Sequence, residues 1–189
     1  MNAKRRTCLK MMAAAVGGVA TGVVGTQLVT LVPNRPIRRL RTLTDAEAAR
    51  VVALAEQIIP ADKDPGATDA GVVYYIDKQL AGKFKKHLPT YRQGLVCLDE
   101  TAQKMFGTPF LSLEFVKQTE LLRALESGKV PAGIWTAFSS RSFFDLVLAH
   151  TMQGFYGSPR HGGNKDYMSY RMLGLDYPRV MGQNRYRKS

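Results

Sequence analysis

From about residue 43 the apolar positions recur at spacings of three and four, the pattern of helices that each bury one face. Val51, Leu54 and Ile58 form the first stripe. It is opened by Thr44-Asp45-Ala46-Glu47, a capping box in which the Thr hydroxyl and the Glu carboxylate satisfy each other's orphan amides, and it is closed by Pro60. A loop through Asp62, Asp64, Pro65 and Gly66 follows. Thr68 is placed to cap a second helix carrying Val72, Ile76 and Leu80, although Val72-Val73-Tyr74-Tyr75 taken alone also suits a strand. Tyr91, Leu95, Leu98, Ala102 and Met105 define a third helix closed by Gly107. Ser112 opens a fourth, with Val116, Leu121, Leu122 and Leu125 inside and Gly128 as its stop. A fifth spans roughly 134–153 and includes Phe144, Leu148 and Met152; Asn164 caps a short sixth that ends before Gly174. The pattern predicts an all-α fold: a single compact domain of about six short helices over residues 43–174, without internal repeats.

The N-terminus has a different pattern. Lys4, Arg5, Arg6 and Lys10 precede 24 residues without a charge, Met11 to Asn34, which is the layout of a bacterial export signal. Arg5-Arg6 with Leu9 and Lys10 resembles the twin-arginine motif, the signal for exporting proteins already folded. Cys8 stands where that motif usually has an aromatic or large aliphatic residue. The apolar stretch is only mildly hydrophobic, with Gly17, Gly18, Gly22 and Gly25, and Arg35, Arg38, Arg39 and Arg41 follow it; both features suit the twin-arginine route. As a helix, Met11–Val32 measures about 33 Å, enough to span a bilayer, so a retained anchor and a cleaved leader both stay open. The chain divides into a leader or anchor at 1–32, a basic linker at 33–42, the helical domain at 43–174 and an extended basic tail at 175–189.

The distribution of charge matters more than its total. The chain carries 27 basic and 15 acidic side chains, a balance that suggests nucleic acid, but residues 1–41 hold eight of the basic ones and none of the acidic. The body is close to neutral, and a nucleic-acid partner is not expected. Two cysteines exclude a disulfide framework, and Cys97 among Leu95, Val96 and Leu98 reads as a buried structural thiol. His87, His150 and His161 share no metal-ligand spacing, and the chain has no P-loop, no dinucleotide-binding glycine turn and no G-x-S-x-G elbow. No catalytic, cofactor-binding or metal-binding residue is expected in this chain.

One segment concentrates unusual residues, Thr151 through Asn164, with four glycines, Phe155, Tyr156, Pro159, Arg160 and His161 between two helices. Glycines permit positive φ and close backbone approach, while Phe, Tyr and Arg are favoured at interface centres. The segment is therefore read either as a partner interface (Phe155, Tyr156, Pro159, Arg160, His161, Gly162, Gly163, Asn164) or as a tight turn with its aromatics in the core. A catalytic His161 would need a neighbouring carboxylate or nucleophile that the local sequence does not supply.

At this segment the chain resembles the gluconate 2-dehydrogenase subunit 3 family. The resemblance is carried by Gln57-Ile58-Ile59-Pro60, by Asp64 through Val72 with Tyr75-Ile76-Asp77, and above all by Gly154-Phe155-Tyr156 through Pro159 to Gly162-Gly163-Asn164. Ser158 stands where many members carry Asp, so no contact of that carboxylate transfers to this chain. The resemblance implies a non-catalytic small subunit of a sugar or sugar-acid dehydrogenase. In that family a large FAD-containing subunit of the glucose-methanol-choline type performs the oxidation, and a cytochrome c subunit carrying haem c often accepts the electrons. The large subunit commonly lacks its own leader, so a twin-arginine leader on the small subunit would carry the folded flavoprotein through the Tat translocase to the periplasm or the periplasmic face of the inner membrane. The competing readings are a free-standing exported or anchored helical binding protein and a small exported enzyme.

The leader generates the first prediction. Because the arginine pair is read by a receptor, Arg5→Lys combined with Arg6→Lys should leave both this chain and its flavoprotein in the cytoplasm, although the charge is unchanged. Fractionation with an activity assay checks it, and normal periplasmic activity of the double variant refutes shared export.

Overall fold

In the computed structural model, which describes residues 39–175, the capping box opens the first helix. The Thr44 hydroxyl accepts from the Glu47 amide at 3.2 Å and the Glu47 carboxylate accepts from the Thr44 amide at 2.8 Å. Six helices follow: α1 (Asp45–Ile58), α2 (Val72–Leu80), α3 (Leu88–Phe106), α4 (Phe115–Ser127), α5 (Ser140–Tyr156) and α6 (Met168–Met172). Short 3₁₀ turns sit between them, and no strand occurs among the described residues. The all-helical expectation therefore holds for these residues, and Val72–Tyr75 is helical. The motif residues Arg5, Arg6, Leu9 and Lys10, the leader at 1–32 and the tail beyond Leu175 lie outside the described residues. Among those described, no helix is long and apolar enough to cross a membrane.

α5 is the central element, packing against α1, α2, α3, α4 and α6. Its inward face carries Phe143, Phe144, Val147 and Phe155, which join Val51, Leu54, Ile76, Leu80, Tyr91, Leu98, Leu121 and Leu125 in one apolar core. Several buried polar groups tie this core together in pairs, as burial favours. The Gln57 side chain, buried in α1, donates to Gln118 Oε1 at 2.9 Å and to the Phe115 carbonyl at 3.3 Å, and accepts from Thr119 Oγ1 at 2.8 Å. It thus ties α1 to the first turns of α4. Cys97 is buried, as expected of a structural thiol, and its Sγ donates to the Ile134 carbonyl at 3.5 Å.

Asp77 holds the chain that leads into α1. Its carboxylate, 3% exposed, accepts three consecutive backbone amides: Arg41 at 2.7 Å, Thr42 at 2.9 Å and Leu43 at 2.9 Å. Amide donors of this kind stabilise a buried anion without a cation. The stretch of chain entering α1 is thereby fastened to α2.

Three helix starts differ from the pattern-based expectation, each for a nameable reason. Thr68 does not cap α2, because its hydroxyl donates to Glu56 Oε2 at 2.6 Å and its amide to the same atom at 2.9 Å; α2 begins after Gly71, which has φ 67°. Ser112 belongs to the turn Phe110–Ser112 instead of opening α4, which begins at Phe115 with Glu114 as its cap residue. Val116, expected inside, is 66% exposed. The fifth helix does not begin near residue 134: Ser139 caps it, accepting from the Ser142 amide at 3.1 Å. Residues before it instead lay Trp135 and Phe138 against Phe143, with the Trp135 indole donating to Thr101 Oγ1 at 2.9 Å. The glycine stops hold, Gly107 at φ 77° and Gly128 at φ 73°.

A buried histidine supplies the second prediction. His150 is 4% exposed, hydrogen-bonded through Nδ1 to Tyr91 Oη at 3.0 Å, and stacked on Phe84 with ring centres 4.8 Å apart. Burial, with the adjacent His87 adding to it, lowers its pKa from 6.5 to about 4. Between those values the unfolded chain binds a proton that the folded chain refuses. Stability is therefore full above pH 6.5 and falls as pH drops toward 4, by about 3 kcal/mol at the acid end. Urea unfolding from pH 7 to pH 4 should show this slope, and His150→Gln should flatten most of it.

Candidate functional site

The segments 64–77 and 154–164 are far apart in the chain, and the structure packs them on each other. Gly154, in the last turn of α5, lies so close to α2 that a Cβ there would stand 3.1 Å from Val72 and Tyr75. Gly163 folds back over the same turn: its Cβ would fall 2.1 Å from the Gly154 carbonyl oxygen. Gly162, at φ 112°, crosses the Tyr74 carbonyl at a distance that would leave a Cβ 3.0 Å away. Only glycine lets two backbones approach this closely.

Asn164 locks the return. It is fully buried at φ 45°, a region that Asn tolerates better than most residues, and its Nδ2 donates to the Gly157 carbonyl at 2.8 Å. Its Oδ1 accepts the Ser169 amide at 2.9 Å, in the first turn of α6. Asn164 thus bonds an amide in the first turn of the sixth helix, but the residue at that helix's cap position is Tyr167, and Asn164 instead precedes the turn Lys165–Tyr167. The Lys165 amide donates to the Ala70 carbonyl at 3.0 Å and Tyr75 Oη to Gln153 Oε1 at 2.8 Å, which closes the loop onto both helices.

What this framework displays is the turn Pro159–His161. Lys78, on α2, donates from Nζ to the Arg160 carbonyl at 2.6 Å. Arg160 Nε in turn donates to His161 Nε2 at 3.0 Å, so that ring nitrogen offers a lone pair and the imidazole is neutral. Partial burial lowers the His161 pKa, and the cations Arg160, Lys78 and Lys83 lower it further. A lone pair already engaged by a guanidinium is not poised as a base. Among the described residues no group of three or more His, Cys, Asp or Glu side chains could hold a metal ion. A shallow groove of about 430 Å³ lies elsewhere, lined by Asp99, Glu100, Gln103, Lys104 and Pro109.

The eight residues expected at a partner interface fall into two groups. Phe155, Gly163 and Asn164 are buried and build the turn; the Phe155 ring is fully enclosed and cannot face a partner in this fold. Gly162 is half-buried and shapes the backbone. Tyr156, 37% exposed and edge-on to Phe155, Pro159, Arg160 and His161 reach the surface. Sequence reading missed Lys78 and Lys83, whose approach to the turn depends on the pairing of α2 with α5. The one signal in the chain was the run Lys83-Phe84-Lys85-Lys86, which has no acidic residue in it.

Residues 45–176 match the protein-family model described as gluconate 2-dehydrogenase subunit 3, which covers more than half of the chain and all six helices. No curated protein and no solved structure matches the chain.

The backbone contact is the third prediction. Gly163→Ala should lower stability by about 2 kcal/mol or more, because neither backbone segment can yield without breaking the Asn164 bonds. Arg160→Ala, on the surface, should change it by less than about 0.5 kcal/mol. Thermal unfolding followed by circular dichroism separates them.

Proposed function

The chain belongs to the gluconate 2-dehydrogenase subunit 3 family, and we propose that it is the non-catalytic small subunit of an FAD-dependent sugar or sugar-acid dehydrogenase of the periplasm or the periplasmic face of the inner membrane. It supplies the twin-arginine export signal through Arg5, Arg6, Leu9 and Lys10 and, chaperone-like, supports folding and stability of the catalytic flavoprotein. FAD resides in that partner, of the glucose-methanol-choline type, and haem c in a cytochrome subunit where one is present. The observation that carries this reading is the family match, which runs from the first residue of α1 to beyond the last of α6. Subunit membership belongs to the whole domain.

The surface through which the chain meets its flavoprotein includes, in this reading, the turn held by Gly154, Gly162, Gly163 and Asn164. Tyr156, Arg160 and His161 are mounted on backbone that is fixed at both ends, and Tyr and Arg are residue types that concentrate binding energy at interfaces. A preorganised loop loses little conformational freedom when it docks, so more of its contact energy appears as affinity.

The test is association. Tyr156→Ala or Arg160→Ala should weaken binding of the catalytic subunit by about 2 kcal/mol, while the helicity of the free chain stays the same. Phe155→Ala should instead damage the fold itself, by about 3 kcal/mol or more, because it empties a core site. Pull-down of the co-expressed flavoprotein, with circular dichroism of each free variant, gives the answer; full-strength binding by both surface variants removes the turn from the interface.

A further inference from the structure

The described residues carry 17 basic and 14 acidic side chains, a net of +3, yet three of the cations, Lys78, Lys83 and Arg160, bear on one imidazole, His161. Lys78 reaches from α2 to the Arg160 carbonyl, and the turn that presents Arg160 packs on α2. Lys83, Lys85 and Lys86 follow α2 within six residues and are exposed. Apart from these five, the described body holds 12 basic and 14 acidic side chains, so the remainder is slightly negative.

Among the described residues, no ion pair neutralises the cluster. Those formed are Arg50 with Asp99 and Arg92 with Glu47, in other parts of the molecule. Asp77, next to Lys78 in sequence, is turned inward and spends its oxygens on the amides of Arg41, Thr42 and Leu43. Lys78 and Arg160 bond to a carbonyl and an imidazole, which leaves their charges uncompensated among the described residues. The low pKa of His161 is a second sign of the same local positive potential, since Arg160, Lys78 and Lys83 all contribute to it after burial. Gathering like charges costs free energy in the free subunit and is relieved by an opposing surface.

We infer that the face around the Pro159–His161 turn, carrying Lys78, Lys83 and Arg160, docks on a carboxylate-rich surface of the dehydrogenase's catalytic subunit. This rests on the accessory-subunit reading and extends it: the interface is wider than the Tyr156–His161 turn, and the partner's complementary patch is acidic. Tyr156, exposed at the end of α5 just before the turn, adds an aromatic residue, the composition suited to a protein partner. Steering by such a face accelerates encounter and selects against basic surfaces.

The experiment uses the full chain and its catalytic subunit, with affinity measured in about 0.1 M and about 0.5 M NaCl, where screening shortens to a few ångströms. Lys83→Glu with Arg160→Glu should weaken association about tenfold or more at low salt, and the wild-type affinity should fall with salt far more than the variant's. Lys117→Glu, exposed on α4, is the control and should leave binding unchanged. Circular dichroism confirms that the variants fold. Wild-type binding that resists both salt and charge reversal overturns the acidic-surface inference alone. Failure of the wild-type chain to bind the catalytic subunit at all overturns the accessory reading and this inference together. Vesicles of phosphatidylglycerol and of phosphatidylcholine form the last arm. If charge reversal abolishes binding to the anionic vesicles while the protein complex is unaffected, the face is a lipid-binding face and the inference is wrong.

Discussion

The arrangement of the surface turn depends on one contact in which two backbones meet with no side chain between them, Gly163 against Gly154. The last turn of α5 can lie on α2 because Gly154 leaves room for Val72 and Tyr75, and the returning chain can lie on α5 because Gly163 leaves room for the Gly154 carbonyl. Asn164 then converts proximity into a fixed geometry, with the amide nitrogen of its side chain bonded to Gly157 and the oxygen to Ser169. Pro159, Arg160 and His161 are displayed as a consequence, held by backbone and not by their own side chains. Surface chemistry at this turn is therefore separable from its architecture. A residue that shows itself can change without disturbing the residues that hold it.

The same division of labour runs through the core. α5 gathers the other helices through aromatic and aliphatic packing, while a few buried polar groups decide which neighbours meet. Gln57 spans α1 and α4, Asp77 ties the incoming chain to α2, and Tyr91 pairs with His150 across α3 and α5. Apolar contacts are tolerant of register, whereas an unpaired buried polar group is costly, so these pairings favour one arrangement over near alternatives.

Local chemistry was legible in the sequence, and non-local competition was not. The Thr44–Glu47 box and the stops at Gly107 and Gly128 involve partners within a few residues, and all three are found in place. Thr68 has the right chemistry for a cap, but Glu56, twelve residues earlier, takes its hydroxyl and amide. Val116 has the right spacing to be inside α4, yet the helix starts later than Ser112 and turns that position to solvent. At the candidate site the glycine-rich segment stood out by composition, but whether Phe155 faced inward or outward depended on the close approach of α2, which no spacing reveals. The cationic face was invisible for the same reason: Lys78 and Arg160 lie 82 positions apart and meet only through the fold.

Asp77 has a mechanical consequence. Its three amide bonds take hold of Arg41, Thr42 and Leu43, immediately before the capping box of α1. Tension applied to the chain upstream of Arg41 enters the domain at this buried carboxylate. The load is shared with α2 through three hydrogen bonds before it reaches the first turn of α1.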